Sequence, residues 1–473
     1  MKKKATAIEL KIITGFLLSC VFFSACKKDS FIESAQALLS TSADTLKYDT
    51  VFTSTGSVTK SFKIFNNNDQ KLRLGKVKLM GGAASAYKMN VDGTATTEAS
   101  NIEIAANDSI YVFVSVTVNP NAANLPFIVS DSILINYNGN NRYVQLQAFG
   151  QNANFLRNRV LTGNVVWNNT LPYVILGSIR VDTTATLTIQ PGCRIYSHAD
   201  APFIVDGTLI VNGTKTDSVI FAGDRLDPAY RDLPAAWPGI YFRGQSKNNT
   251  FVHTIVKNAY QAVVTEQPSI NANPKLRISR CIIDNAYDAG ILAVNSSLQM
   301  DNTLVSNCGS NIALTYGGDY TLTHCTVTSF SNLYLLHKEP VLFVSNSAFV
   351  NGSPVSANLN AVFRNCIFWG DAGAVNDEVQ VSRQGSNTFA VTFQNNLYRS
   401  NTDPANSTLA GNIKNIDPSF DSIDVSKRIF NFRITKNTAA PGINAGVATG
   451  FLLDLDDKNR NVGLPDMGAY EKQ

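Results

Sequence analysis

Cys281-Ile282-Ile283-Asp284-Asn285, Thr303-Leu304-Val305-Ser306-Asn307 and Cys325-Thr326-Val327-Thr328-Ser329 follow one another at an even spacing along the chain. Each unit opens on a small residue, continues through a short, largely apolar run and closes on a turn former. The run is too short for a helix and has the length of a strand. Further copies occur at Thr254–Asn258, Ser347–Asn351, Cys366–Gly370 and Asn396–Ser400, so the full series of spacings is 27, 22, 22, 22, 19 and 30. A second apolar strand follows most copies, as in Ile291-Leu292-Ala293-Val294.

Short strands joined by tight turns at a fixed period describe a right-handed parallel β-helix. Each coil stacks on the next at about 4.8 Å, so equivalent residues form ladders. The first ladder reads Thr, Cys, Thr, Cys, Ser, Cys, Asn, which suits an inward corner and makes Cys281, Cys325 and Cys366 packed interior thiols. The closing asparagines suit left-handed turn residues. His253 and His324 each precede a unit and read as ladder positions.

The preceding stretch extends the pattern through Ala185–Cys193, Phe203–Thr214 and Val219–Phe221. Its Pro191-Gly192 turn and its Gly207-Thr208 and Gly213-Thr214 steps resemble the opening coils of bacterial pectin-lyase-like β-helix proteins. The expected domain is 155–473, with ten to twelve coils in a rod of roughly 50 Å.

Upstream, residues 45–150 alternate with period two in runs such as Ser61–Phe65, Ile110–Val116 and Ser132–Ile135. Asn, Asp and Gly clusters separate them, which predicts a β-sandwich of roughly seven strands. The domain resembles the immunoglobulin-like modules of periplasmic and surface proteins, and such modules commonly serve as stalks. The fold class is all-β. Only 16% of residues are charged, and the 49 asparagines all lie at or after Asn66. That composition disfavours helix interiors.

The chain opens with Lys2-Lys3-Lys4, an apolar run over 12–23 and then Ser24-Ala25-Cys26. This is the form of a secretion signal, too short to span a bilayer. It resembles a bacterial lipoprotein signal with Cys26 lipidated, Cys20 being a competing site. Residues 1–25 are then the signal and 26–44 an anchor linker. Lys27-Lys28-Asp29 resembles the segment after the cysteine in Bacteroidetes surface lipoproteins. The resemblance implies an outer-membrane, surface-exposed location, with the periplasmic face as alternative, and the membrane as partner through the lipid. Removal of the segment before Cys26 takes away Lys2, Lys3, Lys4, Lys11 and Glu9 and lowers the net charge from +4 to +1. A nearly neutral protein is not expected to bind nucleic acid.

At the other end, Asn415–Phe420, Phe430–Ile434, Pro441–Gly446 and Asp466–Glu471 occur in an order that resembles the C-terminal region of choice-of-anchor surface β-helix proteins. Residues 411–473 are expected to cap the solenoid, with Arg460 paired to Asp456 or Asp466. Asp454, Asp456 and Asp457 are candidate Ca²⁺ ligands, since hard cations take oxygen donors; no other cofactor is expected.

Enzymes of the resembled fold cleave acidic polysaccharides, the lyases with Asp-held Ca²⁺ and an Arg or Lys base, the hydrolases with clustered carboxylates. Neither constellation is evident, so no catalytic residue is assigned. One insertion, Asp224–Asp232, concentrates charge and aromatics where the rest of the chain has few. Asp224, Arg225, Asp227, Tyr230, Arg231, Asp232 and the following Trp237 form a candidate ligand loop, in which rings stack on a sugar and charged groups hydrogen-bond to it. The alternative is a covering loop whose charges pair among themselves. The expected function is non-catalytic binding of glycan or extracellular matrix, or adhesion, through the β-helix. The alternative is a polysaccharide lyase or glycoside hydrolase acting on acidic polysaccharide.

Overall fold

The computed structural model describes residues 30–52, 56–119, 127–371, 375–460 and 462–473. Cys26 and the expected signal segment, 1–25, lie outside them. The chain divides into two units, 1–151 and 152–473.

In the first unit, two five-stranded sheets face each other. One runs Leu39–Thr41, Lys60–Asn66, Ser109–Val116, Tyr87–Val91, Thr94–Ala95 and is antiparallel throughout. The other runs Thr45–Phe52, Asn140–Gln151, Phe127–Tyr137, Leu72–Leu79, Glu98–Ile104, with the first pair parallel. Alternate residues turn inward, and Ile64, Leu72, Leu74, Val77, Val112, Val114, Ile133 and Val144 exclude solvent completely. Leu39–Thr41 lies in the segment expected as linker. It pairs with 64–66, and buried Ala37 and Leu39 belong to the sandwich core.

The second unit is a β-helix of 26 hydrogen-bonded strands. Its rungs form three parallel sheets. The first carries the repeat unit, through Val219–Gly223, Thr254–Lys257, Ile282–Asp284, Leu304–Ser306, Thr326–Ser329, Ile367–Gly370 and Leu397–Tyr398. The second includes Phe203–Val205, Ile240–Phe242, Gln261–Glu266, residues 289–294 and 310–315, and Leu342–Ser345. The third holds ten rungs between Asn164–Trp167 and Thr408–Ala410, within the ten to twelve expected.

The corners explain the composition. Asn258, Asn285 and Asn307 take positive φ between the first and second sheets, where asparagine tolerates the left-handed conformation. Asn285 Nδ2 donates to Asn258 Oδ1 of the preceding rung at 2.8 Å. His253, Arg280, Asn302, His324, Asn365 and Asn395 take positive φ at the corner between the third and first sheets. The unit's opening residue faces inward and accepts a backbone hydrogen bond from the rung before. Thr254 N donates to Cys281 Sγ, Cys281 N to Thr303 Oγ1, Cys325 N to Cys366 Sγ and Cys366 N to Asn396 Oδ1. A small acceptor is therefore needed in that ladder. All five described cysteines are buried free thiols.

The copy Ser347–Asn351 departs from the pattern. Ser347–Val350 forms an antiparallel hairpin with Ser353–Ser356, outside the rungs, and Thr326–Ser329 pairs directly with Ile367–Gly370. Its regular spacing from Cys325 is coincidental.

The C-terminal region lies along the first sheet rather than over an open end. Ile282, Leu304, Ile367, Trp369 and Leu397 point outward from that sheet and pack under Phe432, Ile434, Leu455, Met467, Ala469 and Tyr470. Because the sheet is covered on both faces, its strands read as continuous apolar runs instead of alternating.

Candidate functional site

The loop 224–239 leaves Val219–Gly223 and returns to Ile240–Phe242, at the corner between the first and second sheets. Its charges are paired. Asp224 Oδ2 lies 2.7 Å from His198 Nδ1, Arg225 Nε donates to Asp227 Oδ1 at 3.1 Å, and Arg231 lies 3.6 Å from Asp232. Arg225 also stacks on Tyr230, 3.8 Å from the ring centre. The backbone carbonyls of Arg231 and Asp232 accept from Asn258 Nδ2 and Asn285 Nδ2, so the asparagine ladder holds the loop down. Trp237 cannot serve as a sugar platform. It is 1% exposed, and its indole N–H donates to Lys257 O at 2.9 Å.

The C-terminal carboxylates are also occupied. Asp456 forms a two-point pair with Arg433 and a contact with Lys215. Despite its burial, these cations hold its carboxyl below the usual range. Asp457 meets Arg280 at 2.8 Å and His253 at 3.2 Å. Asp454 accepts from the backbone N–H groups of Asp456, Lys458 and Glu471. The three candidate Ca²⁺ ligands are thus separately committed to cations and amides, and no metal-holding group of three occurs among the described residues. Arg460 forms an ion pair with neither expected carboxylate, although its Nη1 donates to the backbone carbonyl of Asp466 at 3.4 Å. Its Nη1 donates to Glu471 Oε2 at 3.1 Å, and its Nε to Asn302 Oδ1 at 2.8 Å. Asp466 instead accepts from Asn444 N and Lys472 N.

His253 and His324 are buried ladder residues. Burial and the charge of Arg460 push His324 down to about 2, so its ring stays neutral. Burial pushes the Cys281 thiol up to about 12, which keeps it protonated and inert.

Two features escaped the sequence reading. One is a cluster around two fully buried side chains. His337 Nε2 lies 2.9 Å from Glu378 Oε1, and Arg399 Nη2 donates to the same oxygen at 2.9 Å. Arg399 also donates to the carbonyls of Asp371 and Val375. The cluster ties the loop 330–341 to Asp371 and to residues 375–378.

The other lies on the surface. Between the long loops 224–239 and 330–341, the same corner is crossed by three short turns, 258–260, 285–288 and 307–309. The two long loops bound a saddle, and the first leans over part of its floor, where the carbonyls of Arg231 and Asp232 accept from Asn258 and Asn285. Four rung spacings separate Ile240 from Leu342, so the rungs that carry the two loops lie roughly 19 Å apart. Tyr260 and Tyr287 lie on its floor, 45% and 51% exposed, with ring centres 5.7 Å apart and planes 25° from parallel. Beside them Gln261 Nε2 donates to Asp288 Oδ2 at 2.7 Å. In the next rung stands Gly309. A Cβ there would lie 2.1 Å from Tyr287 O, so no side chain fits. Leu333 and Leu336 are exposed on the second wall. Exposed rings beside hydrogen-bonding groups suit the apolar faces and hydroxyl rims of sugars. The signal was present as Asn-Ala-Tyr, which recurs at 258–260 and 285–287.

Residues 159–266 match a family described as a pectate-lyase like beta helix domain, and residues 269–416 match one described as a right handed beta helix region. Among curated proteins none matches. A solved family 123 glycoside hydrolase from Clostridium perfringens, described for glycolipid glycan hydrolysis, is similar at 11% identity with a TM-score of 0.17. That match covers 27% of this chain and 26% of that one, so the chain spans about a quarter of the hydrolase's length. A PapD-like domain of human CEP192 is similar at 6% identity with a TM-score of 0.18, over 27% of this chain and 92% of that domain. Neither likeness carries an argument. The two family matches and the stacked parallel rungs agree, and residues 159–416 form a right-handed parallel β-helix of pectate-lyase-like type.

Proposed function

We propose that this protein is a surface lipoprotein, anchored through Cys26, that binds glycan on its β-helix without cleaving it. The observation that carries the reading is the exposed Tyr260–Tyr287 stack on a floor walled by two long loops. Large rings are costly to leave in water, and a stack standing open on a rigid scaffold is suited to a ligand with an apolar face. The first wall supports the reading, since Tyr230 is exposed and held flat under Arg225. The basic, apolar and small-residue order from Met1 to Cys26 supports the anchor.

Polysaccharide pull-down and glycan-array binding with residues 27–473 test the glycan reading, and absence of binding across plant, host and bacterial glycans overturns it. Metabolic labelling with a fatty acid tests the anchor. Label is expected on the intact chain and not on Cys26→Ser. The pectate-lyase-like description of residues 159–266 favours a second reading, cleavage of an acidic polysaccharide. Appearance of new chain ends in a digest of pectate or alginate would establish it.

A further inference from the structure

The charge of the saddle narrows its ligand. On the proposal that the saddle binds glycan, we infer that it selects uncharged sugar chains and rejects uronates. The floor consists of Tyr260, Gln261, Tyr287, Asp288, Gly309 and Ser310, which include one charge, the exposed carboxylate of Asp288. That carboxylate is held by a neutral amide, Gln261, and has no ion pair among the described residues. Burial, and then the Asp288 carboxylate, push the Tyr241 phenol up. The arginines around the floor are paired: Arg225 with Asp227, and both Arg231 and Arg428 with Asp232, Arg428 also lying over the Tyr334 ring. On the second wall Lys338 and Glu339 are exposed neighbours of opposite charge. A carboxylated sugar on this floor meets the like charge of Asp288, while the arginines around it already hold carboxylates. A neutral pyranose meets rings, an amide, a hydroxyl and a carboxylate that accepts from its hydroxyls.

Gly309 sets where the sugar sits. Among the described residues Tyr287 stacks on Tyr260 alone, and the following rung has no side chain to cover its other side. A sugar ring above Gly309 continues the stack by one member, at the rung spacing of about 4.8 Å.

The experiment measures binding of residues 27–473 to neutral oligosaccharides (cello-, manno- and xylo-oligomers) and to oligogalacturonate and oligomannuronate of equal length. Neutral chains are expected to bind, with uronates weaker by about tenfold or more at low salt. Tyr287→Ala is expected to weaken neutral binding by about tenfold. Asp288→Asn is expected to raise the ratio of uronate to neutral binding by about fivefold, and added salt is expected to do part of the same. Both residues are exposed, and an unchanged melting temperature confirms that each variant folds. Uronates binding wild type as well as neutral chains do would overturn the selectivity and leave glycan binding standing. No binding of either class would overturn both.

Discussion

Arg460 and Glu471 form an ion pair at 3.1 Å in which the arginine is 1% exposed. It fastens the C-terminal strap to Asn302, on the corner next to the first sheet. Taking two charges out of water is costly, and removing one partner leaves the other uncompensated. Arg460→Met is expected to destabilise the β-helix by about 3–5 kcal/mol. The double variant with Glu471→Gln should cost less than the two single changes added together. Denaturant melts of the four proteins check this.

The same pair sets a pH dependence. Burial pushes Glu471 up to about 7, from 4.5. A carboxyl raised on folding contributes stability that is fully present below about pH 4.5 and is lost as pH rises through about 7. Asp454 and Asp466 are raised by burial in the same direction. Asp456, held low by Arg433 and Lys215, acts oppositely and at lower pH. Melting temperatures between pH 4.5 and 7.5 should therefore show a falling contribution that Glu471→Gln flattens.

Trp237 and Tyr287 should separate folding from binding. Trp237→Ala empties a packed site and is expected to cost about 3–5 kcal/mol. Tyr287→Ala touches a half-exposed ring and should stay within about 0.5 kcal/mol of wild type. Thermal unfolding and glycan affinity measured on both variants give opposite orders.

The buried thiols should be silent. Cys193, Cys281, Cys308, Cys325 and Cys366 are free and enclosed, and burial raises the Cys281, Cys308 and Cys325 thiols. A thiol reagent is expected to label none of them in native residues 27–473 and all five in denaturant, by mass spectrometry.

The rungs were legible because Cys281, Thr303 and Cys325 recur at an even interval and head units that close on turn formers. Their inward ladder followed from the size of those side chains. Ser347–Asn351 shows the limit of that logic. A hairpin can carry the same five-residue pattern, and only strand pairing separates the two. The site was less legible. Asp224–Asp232 attracted notice as a charge-rich stretch, yet those charges neutralise one another once folded. Tyr260 and Tyr287 are a full coil apart in the chain and adjoin only because that coil returns to the same corner. His337 and Glu378 meet across 41 residues, a separation no motif spacing encodes.

The strap touches rungs far apart in the chain. Asp456 reaches Lys215, 241 residues earlier. Arg460 reaches Asn302, and the backbone N–H of Ala469 donates to Thr326. Three anchor points at fixed positions along one segment act as a ruler for the solenoid. A coil gained or lost between Lys215 and Thr326 would leave at least one anchor facing the wrong rung. The C-terminal strap therefore fixes the number of coils in the part it spans, and natural variation in length is expected at the ends of the stack and in its corner loops, not beneath the strap.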